Sequence, residues 1–522
     1  MRVVVLLIFF LPLAAALACI RAPLPACRVI TATAGLASLG LVVAVAPAAA
    51  HRNLAYLEFL RIDALSAVFL LATGFLYAAV ALYSIGYVAH GRADPGFSRY
   101  SWRFWAGLNL FAWAMLAAPL MSSLALLWVA IEVTTVVSAL LVAVEDTSGA
   151  AEAAWKYVLI ASAGLGLALL ATIFAYDAGA QVLGQSYDLA FSSLLHVAGR
   201  LPHAPVQLAF VLAVLGFGTK MGLFPVHTWL PDAHSEAPTP VSALLSGSLL
   251  AVSFYAILRY YQIAAPDLGP RFPRDVLLVF GVASLLMAAL YLFGQRDIKR
   301  MLAYSSVEHM GILAIGVSFG APIALAGVLL HVLAHAAAKG SAFMGAGVLV
   351  HKFGTKQIAS IRGGLDALPW SGPLFLLAIL ALGAMPPFGI FRSEFEIVQG
   401  GFASSSNVVA AILIIGVTVA FFGLAATTTR MLLSPQVAAS EPRTAVRVSV
   451  GAAADGTAGA GDLEERAAQR TPAALAPRGE PSAWMVVPVA AGAVVLIVLG
   501  VHPPAELTDL LSRAVRELSG VA

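Results

Sequence analysis

The sequence predicts an all-α integral membrane protein of about fourteen transmembrane helices, with the seventh and twelfth helices broken. Three observations lead there. Of 522 residues, 60% are hydrophobic and only 11% charged, and the mean hydropathy of +0.90 is far above that of a water-soluble globule of this length. The apolar residues come in runs long enough to cross a ~30 Å hydrocarbon core at about 1.5 Å per residue. Two runs are interrupted, one by Pro225 close to Lys220 and the other by Pro386 and Pro387 close to Arg392, Glu394 and Glu396. Paired interruptions with charges beside them point to inverted repeats with ion sites at the breaks.

Taken in order, the spanning segments fall at 3–20, 29–50, 62–88, 103–119, 122–144, 155–176, 206–225, 240–262, 275–294, 301–319, 323–350, 372–396, 406–433 and 484–502. Helices are required, because backbone polar groups in lipid must pair within their own segment, and barrel strands would alternate in polarity. The first segment resembles a signal peptide, but a second spanning run follows at once and no soluble domain does, so it reads as a membrane helix. Residues 1–100 hold helices 1 to 3 and residues 101–433 the core helices 4 to 13. Residues 434–483, rich in Ala, Gly, Pro, Arg and Glu, lack the apolar content to bury a core and read as a flexible cytoplasmic linker. Residues 484–522 make the last spanning helix and a short amphipathic helix. Arg and Lys are denser in the loops after odd-numbered segments, which places those loops inside and both termini outside, in the plasma membrane.

Composition also excludes. The net charge is +3 and there is no basic stripe with interleaved aromatics, so nucleic acid is not an expected partner. The two cysteines, Cys19 and Cys27, are too few for an iron–sulfur cluster, and no glycine-rich nucleotide fingerprint is present. No cofactor is expected, and any redox chemistry belongs to another subunit.

The stretch GFGTKMGLFPVHTWLPDAHSEAPTPVSALLSG, residues 216–247, organises the rest. A lysine near the bilayer centre is disfavoured by roughly 3 kcal/mol on insertion scales, so one that is kept usually has a use. The two basic residues placed deepest, Lys220 and Lys339, are lysines in a chain where arginine is commoner. Unlike arginine, a lysine taken out of water gives up its proton within reach of neutral pH. Glu132, in the fifth segment, is the acidic counterpart. A carboxylate and an ammonium about 4 Å apart interact by roughly 4 kcal/mol at an effective dielectric near 20, enough to load or unload a proton. A static ion pair joining two helices is the alternative.

In the eleventh segment His331, His335 and Lys339 are spaced i, i+4, i+8, which puts them on one helical face over ~12 Å, with neighbours about 6 Å apart. Bridging waters would make this ladder a proton path, and core histidines satisfied by backbone or hydroxyl groups are the alternative. The HxxxH pair has no HExxH glutamate and no evident third ligand, so no metal is expected. Glu394 supplies the ionisable group at the second break. Lys156, His227, Asp232, His234, Glu236, Glu308 and His309 are secondary candidates.

The blocks KMGLFPVHTWLPDAHSEAPTPVSALLSG, RDIKRMLAYSSVEHMGIL, HVLAHAAAKGSAFMGAG and PPFGIFRSEF resemble the signatures of the antiporter-like membrane subunits of respiratory complex I, Mrp-type cation/proton antiporters and membrane-bound hydrogenases. The wording is most similar to component F of hydrogenase-4 and formate hydrogenlyase-type complexes. The resemblance covers roughly residues 60–430. It implies fourteen helices, two inverted five-helix repeats, partner membrane and peripheral subunits, and proton translocation driven by electron transfer elsewhere. It also implies a proton path through Glu132, Lys220, Lys339 with His331 and His335, and Glu394. One departure stands out: several relatives carry a lysine or histidine in the eighth helix, whereas none lies between Pro240 and Arg259 here. Ser246 or Ser253 with water is the expected bridge. The long lateral helix of some complex I subunits is not expected. A cation/proton antiporter or inorganic-carbon uptake module, and a non-conducting membrane anchor, are the alternative functions.

Overall fold

The computed structural model describes residues 1–90, 95–435 and 476–520, nearly all of it helical. Among the described residues, twelve helices are long and apolar enough to cross a membrane. In chain order these are α1 (Arg2–Arg21), α2 (Leu24–Ala49), α3 (Ala64–His90), α5 (Leu124–Val142), α6 (Ser148–Leu183), α8 (His203–Met221), α10 (Thr239–Leu244) running into α11 (Leu250–Leu268), α12 (Arg271–Tyr291), α13 (Ile298–Phe319), α14 (Pro322–Phe353), α18 (Asn407–Leu433) and α19 (Ala483–Val501). The more polar α4 (Pro95–Ala117) and the pair α16 (Ser371–Leu382) and α17 (Gly389–Ala403) occupy the remaining two expected positions. Short helices α7 (Phe191–Val197), α9 (Trp229–Glu236) and α15 (Gly364–Ala367) lie in connections, and α20 (Ala505–Ser519) follows the last span.

The structure departs from the sequence reading in four places. A small antiparallel hairpin, β1 (Leu54–Tyr56) with β2 (Leu60–Ile62), precedes α3 in an otherwise helical chain. Helix α6 runs for 36 residues, well past the expected end at 176. Its continuation carries Asp177 and Gln181, which end the apolar run, while Ala178, Gly179 and Ala180 stay buried. Arg259, counted as a loop charge, is buried in α11. Most of the expected 434–483 linker lies outside the described residues, but its end packs down: Glu480 accepts hydrogen bonds from the N–H groups of Trp370 and Ser371 at 2.8 and 2.9 Å. It thereby satisfies orphan donors at the N-terminus of α16.

Burial divides the helices into an inner and an outer set. Helices α10/α11, α13 and α14 are almost wholly enclosed, whereas α1, α2, α12, α18 and α19 turn most of their apolar surface outward, as lipid-facing helices do. Glycine makes the closest approach possible. A Cβ on Gly216 would sit 2.5 Å from the backbone nitrogen of Ala168, so α8 packs against α6 backbone to backbone.

A charged cluster ties the C-terminal helix to this frame. Arg259 donates to both oxygens of Asp63 at 2.6 and 2.7 Å, and both residues are buried. Beside them Glu517 of α20 accepts from the N–H groups of Ala64 and Leu65 at 3.3 and 3.1 Å, capping α3 where its dipole favours an anion. Burial pushes the Asp63 carboxyl upward, but the guanidinium groups of Arg259 and Arg61 outweigh it and hold the group below the usual carboxylate range. Its stabilisation is therefore complete above pH ~4 and lost only as the pH falls through that lowered value. Arg259→Met, which strands a buried carboxylate, is expected to destabilise the protein by roughly 3–5 kcal/mol, read as a lower unfolding temperature in detergent. Removing the partner as well, in Arg259→Met with Asp63→Leu, is expected to recover most of the loss.

Candidate functional site

The first break leaves Lys220 in the last turn of α8. Gly222, at φ +86°, closes the helix in a left-handed conformation that residues with a Cβ rarely adopt. The Lys220 ammonium is fully buried and donates to the Tyr157 hydroxyl of α6. It also lies 4.8 Å from the Tyr157 ring centroid and 6.0 Å from that of Trp229, so two aromatic faces share in holding the charge. Tyr157 in turn pairs with Ser138 of α5 at 2.8 Å. Glu132 is on the same helix and within electrostatic reach of Lys220, but the two make no ion pair within 4 Å, and Glu132 Oε2 is buried without a hydrogen bond. The lysine is thus held by a neutral hydroxyl, with its acidic partner close by and unengaged.

Past the break, Trp229 and His234 fill the space between Lys220 and the second half of the molecule. Trp229 donates to the Thr219 carbonyl at 2.7 Å, and its ring lies 4.4 Å from Tyr157 and 6.4 Å from His234. His234 Nδ1 faces the Leu230 carbonyl at 2.8 Å. A carbonyl only accepts, so Nδ1 carries the proton and Nε2 presents a lone pair. That Nε2 is buried and unpartnered, and His234 is within electrostatic reach of Lys339.

In the eighth expected span, where no lysine or histidine lies between Pro240 and Arg259, the buried serines are Ser242, Ser246, Ser248 and Ser253. Between α10 and α11 the chain makes a π-turn, Leu245–Leu249, a widening often found at functional sites. Gly247 lets this turn press on α14: a Cβ there would meet Leu76 at 2.6 Å and the Ala336 carbonyl at 3.3 Å. In the turn Ser246 reaches Ser306 of α13 at 2.8 Å, and Ser306 donates to the Leu302 carbonyl at 3.1 Å. The same carbonyl accepts from Lys339 at 3.1 Å, and Lys339 also donates to Ser305. Ser253, the other expected bridge, is spent on the Leu249 carbonyl of its own helix at 3.0 Å.

The expected ladder along α14 is instead crossed by a neighbouring helix. His331 and His335 stack with ring centroids 6.2 Å apart but share no hydrogen bond, and neither nitrogen of His335 has a partner. His309 of α13 joins them: its Nδ1 lies 3.1 Å from His331 Nε2, and its ring is 5.3 Å from His335. The protons in this row can be assigned. Ser393 of α17 donates to the Ile390 carbonyl at 2.8 Å, so its oxygen accepts from His331 Nδ1 at 2.9 Å. His331 Nε2 is then an acceptor, His309 Nδ1 is the donor, and the lone pair is left on buried, unpartnered His309 Nε2. Glu394 closes the row with its Oε1 3.8 Å from His309 Nδ1 and without a hydrogen bond. Glu308, also buried with an unpartnered oxygen, is within electrostatic reach of Lys339.

Four of the secondary candidates lie elsewhere. Lys156 pairs with Glu152 at 2.5 Å on the outside of α6. Asp232 pairs with Arg300, and Glu236 with Lys356 at 2.6 Å, both partly exposed. His227 is buried beside Phe224 and Tyr304, apart from the row. Glu308, His309 and His234 join the principal residues. The participants that sequence reading missed are neutral: Tyr157, Ser138, Ser305, Ser306 and Ser393. Ser305, Ser306 and Ser393 were in view in the YSSVEH and FRSEF blocks, but serine is too common in helices to be singled out. Ser306→Ala is expected to leave Ser246 without its partner and to cost about 1–3 kcal/mol in thermal stability, with Ser306→Thr restoring most of it.

Comparison with known proteins gives the family and the fold. Residues 121–423 match the family described as NADH:quinone oxidoreductase/Mrp antiporter, transmembrane, and residues 58–101 match the N-terminus of complex I chain 5. A hydrogenase-4 component F homolog of Methylacidiphilum infernorum is 36% identical over 74% of this chain and 80% of its own length. Hydrogenase-4 component B of Escherichia coli is 31% identical over 66% of this chain and 51% of its own. NADH-quinone oxidoreductase subunit N of Desulforudis audaxviator is 34% identical over 50% of this chain and 52% of its own, so the chain spans about half the length of these two relatives. In three dimensions the chain is similar to subunits of the archaeal membrane-bound sulfane sulfur reductase, with a TM-score of 0.81 at 19% identity, and of the Mrp complex from Dietzia, with 0.79 at 19%. Each covers 99% of this chain and 98% of the other. With more than half of its length matched by one family model, and a relative 36% identical over 74% of it, the chain belongs to the NADH:quinone oxidoreductase/Mrp antiporter membrane family.

Proposed function

We propose that this protein is the proton-translocating membrane subunit of a hydrogenase-4/formate hydrogenlyase-type or NADH:quinone oxidoreductase-like complex, and that it couples redox chemistry in partner subunits to proton movement. The observation that carries this reading is the buried row from Glu132 and Lys220 through His234 and Lys339 to His309, His331 and Glu394, with hydroxyls between its members. Anchoring helices alone does not require so many ionisable groups in an apolar interior, where each charge costs free energy.

Lys220 is the switch. Held on Tyr157 it is separated from Glu132, and swinging to Glu132 gains roughly 4 kcal/mol at an effective dielectric near 20, about three powers of ten in proton affinity. Return to Tyr157 lowers that affinity and drives the proton toward the free lone pair of His234 and on to Lys339. The ordered hydrogen bonds of His309 and His331 then carry it across to Glu394 at the second break. A cavity of about 400 Å³ lined by Glu145, Glu236, Lys299 and Lys356 supplies protons from the inner side. We place the chain in the plasma membrane with both termini outside, as two inverted five-helix repeats.

Similarity to an Mrp complex favours a second reading, in which a cation moves against the protons. Pumping by membrane vesicles holding the native complex separates the two. Under the first reading, Lys220→Ala and Lys339→Ala lower redox-driven acidification at least tenfold while the assembled complex persists. Lys220→Arg, which keeps the charge but cannot release the proton, fails equally. Unchanged acidification in all three variants would end the proposal. Acidification that requires Na⁺ on the opposite side would select the antiporter.

A further inference from the structure

The sequence offered no third ligand to accompany a histidine pair, but folding supplies one. We infer that His309, His331 and Glu394 form a binding site for a zinc-class divalent cation. Their ligand atoms all lie within 4.8 Å of one another, and the three side chains come from three different helices, α13, α14 and α17. Zinc bonds of about 2.0–2.1 Å in tetrahedral array place ligand atoms roughly 3.3 Å apart. His309 Nδ1 is 3.1 Å from His331 Nε2 and 3.8 Å from Glu394 Oε1, and no pair of ligand atoms is more than 4.8 Å apart, so the triad closes on a metal by side-chain shifts of about 1.5 Å or less.

Three further features fit. Metal-bound histidines donate their other ring N–H to a fixed acceptor, and His331 Nδ1 already does so to Ser393, which is itself tied to the Ile390 carbonyl. His309 frees Nδ1 by moving its proton to Nε2, where no group opposes it, so binding expels no proton from either ring. Glu394 Oε1 has no hydrogen bond, and His335, with both nitrogens unpartnered and its ring 5.3 Å from His309, stands beside the open fourth position. Glu394 and Glu308 are the acidic side chains that face this cluster, and Lys339 is the basic one. Of the three, Glu394 keeps a corner of its side chain exposed, at 8%, while His309 and His331 are fully enclosed.

Occupancy replaces the proton shared by His309 and His331, so zinc blocks any relay through them. That consequence rests on the function proposed above, whereas binding does not. The test uses the purified native complex, incubated with zinc sulfate and washed with a weak chelator, with metal content measured by mass spectrometry. Cobalt substitution is followed by visible absorption. The expected result is one zinc per copy of this chain and a cobalt spectrum of four-coordinate type. His309→Gln and Glu394→Gln each weaken binding at least a hundredfold, and Ser393→Ala by about tenfold. Glu394→Asp keeps measurable binding and, with unfolding temperatures for all variants, shows that the losses are not misfolding. No zinc above background, or equal zinc in wild type and both Gln variants, overturns the site. Full occupancy with undiminished proton pumping leaves the site standing and counts instead against a relay through His309.

Discussion

Charge in a low-dielectric interior is the constraint on which the rest of this structure depends. Every ionised group buried here must be met by an opposite charge, a hydroxyl, a carbonyl or an aromatic face, and the protein meets its groups in two ways. Arg259 and Asp63 meet as opposite charges, by two short hydrogen bonds and with Ser66 beside them, and only Arg259 Nε is left without a partner. Lys220, Lys339, Glu308, Glu394 and the histidines are only half matched, and buried nitrogens and carboxylate oxygens are left over. The first arrangement holds helices together. The second is costly as architecture and useful as chemistry, because a group with an unmet partner can gain or lose a proton without breaking the fold.

Irregular backbone is confined to where that chemistry needs it. Helix α8 stops at Gly222 so that Lys220 lies at a helix end, and the chain between α16 and α17 opens ahead of Ser393 and Glu394. The π-turn at Leu245–Leu249 places Ser246 against Ser306. Broken helices are tolerated in a membrane only where protein covers the freed backbone groups, and these breaks lie among the most enclosed helices. The two serines tie the π-turn to α13 by a hydrogen bond without the cost of another buried charge, and the Leu302 carbonyl joins Ser306 to Lys339.

The histidine cluster shows how far spacing can carry a reading. His331, His335 and Lys339 do share one face of α14, as their i, i+4, i+8 positions require. Their working partners are on other helices, however. His309 from α13 and Ser393 from α17 complete the hydrogen-bonded row, while His335 stays outside it. Helical periodicity orders residues within one helix and is silent about which neighbour presses against that face. Arg259 misled for the same reason: an arginine near the end of an apolar run reads as a loop charge until the buried Asp63 opposite it is seen.

The sequence by itself determined that this is a multi-helix membrane protein, where most of its apolar runs lie and two of them break, and which lysines and histidines are stranded in apolar surroundings. These follow from run length, proline and glycine, and the rarity of charge, all local properties of the chain. Only the tertiary structure decided who faces whom: Tyr157 rather than Glu132 on Lys220, Ser306 beneath Ser246, and His309 between His331 and Glu394. Those pairings depend on close approaches between helices far apart in the chain, set by glycines such as Gly216 and Gly247, and no local pattern records them.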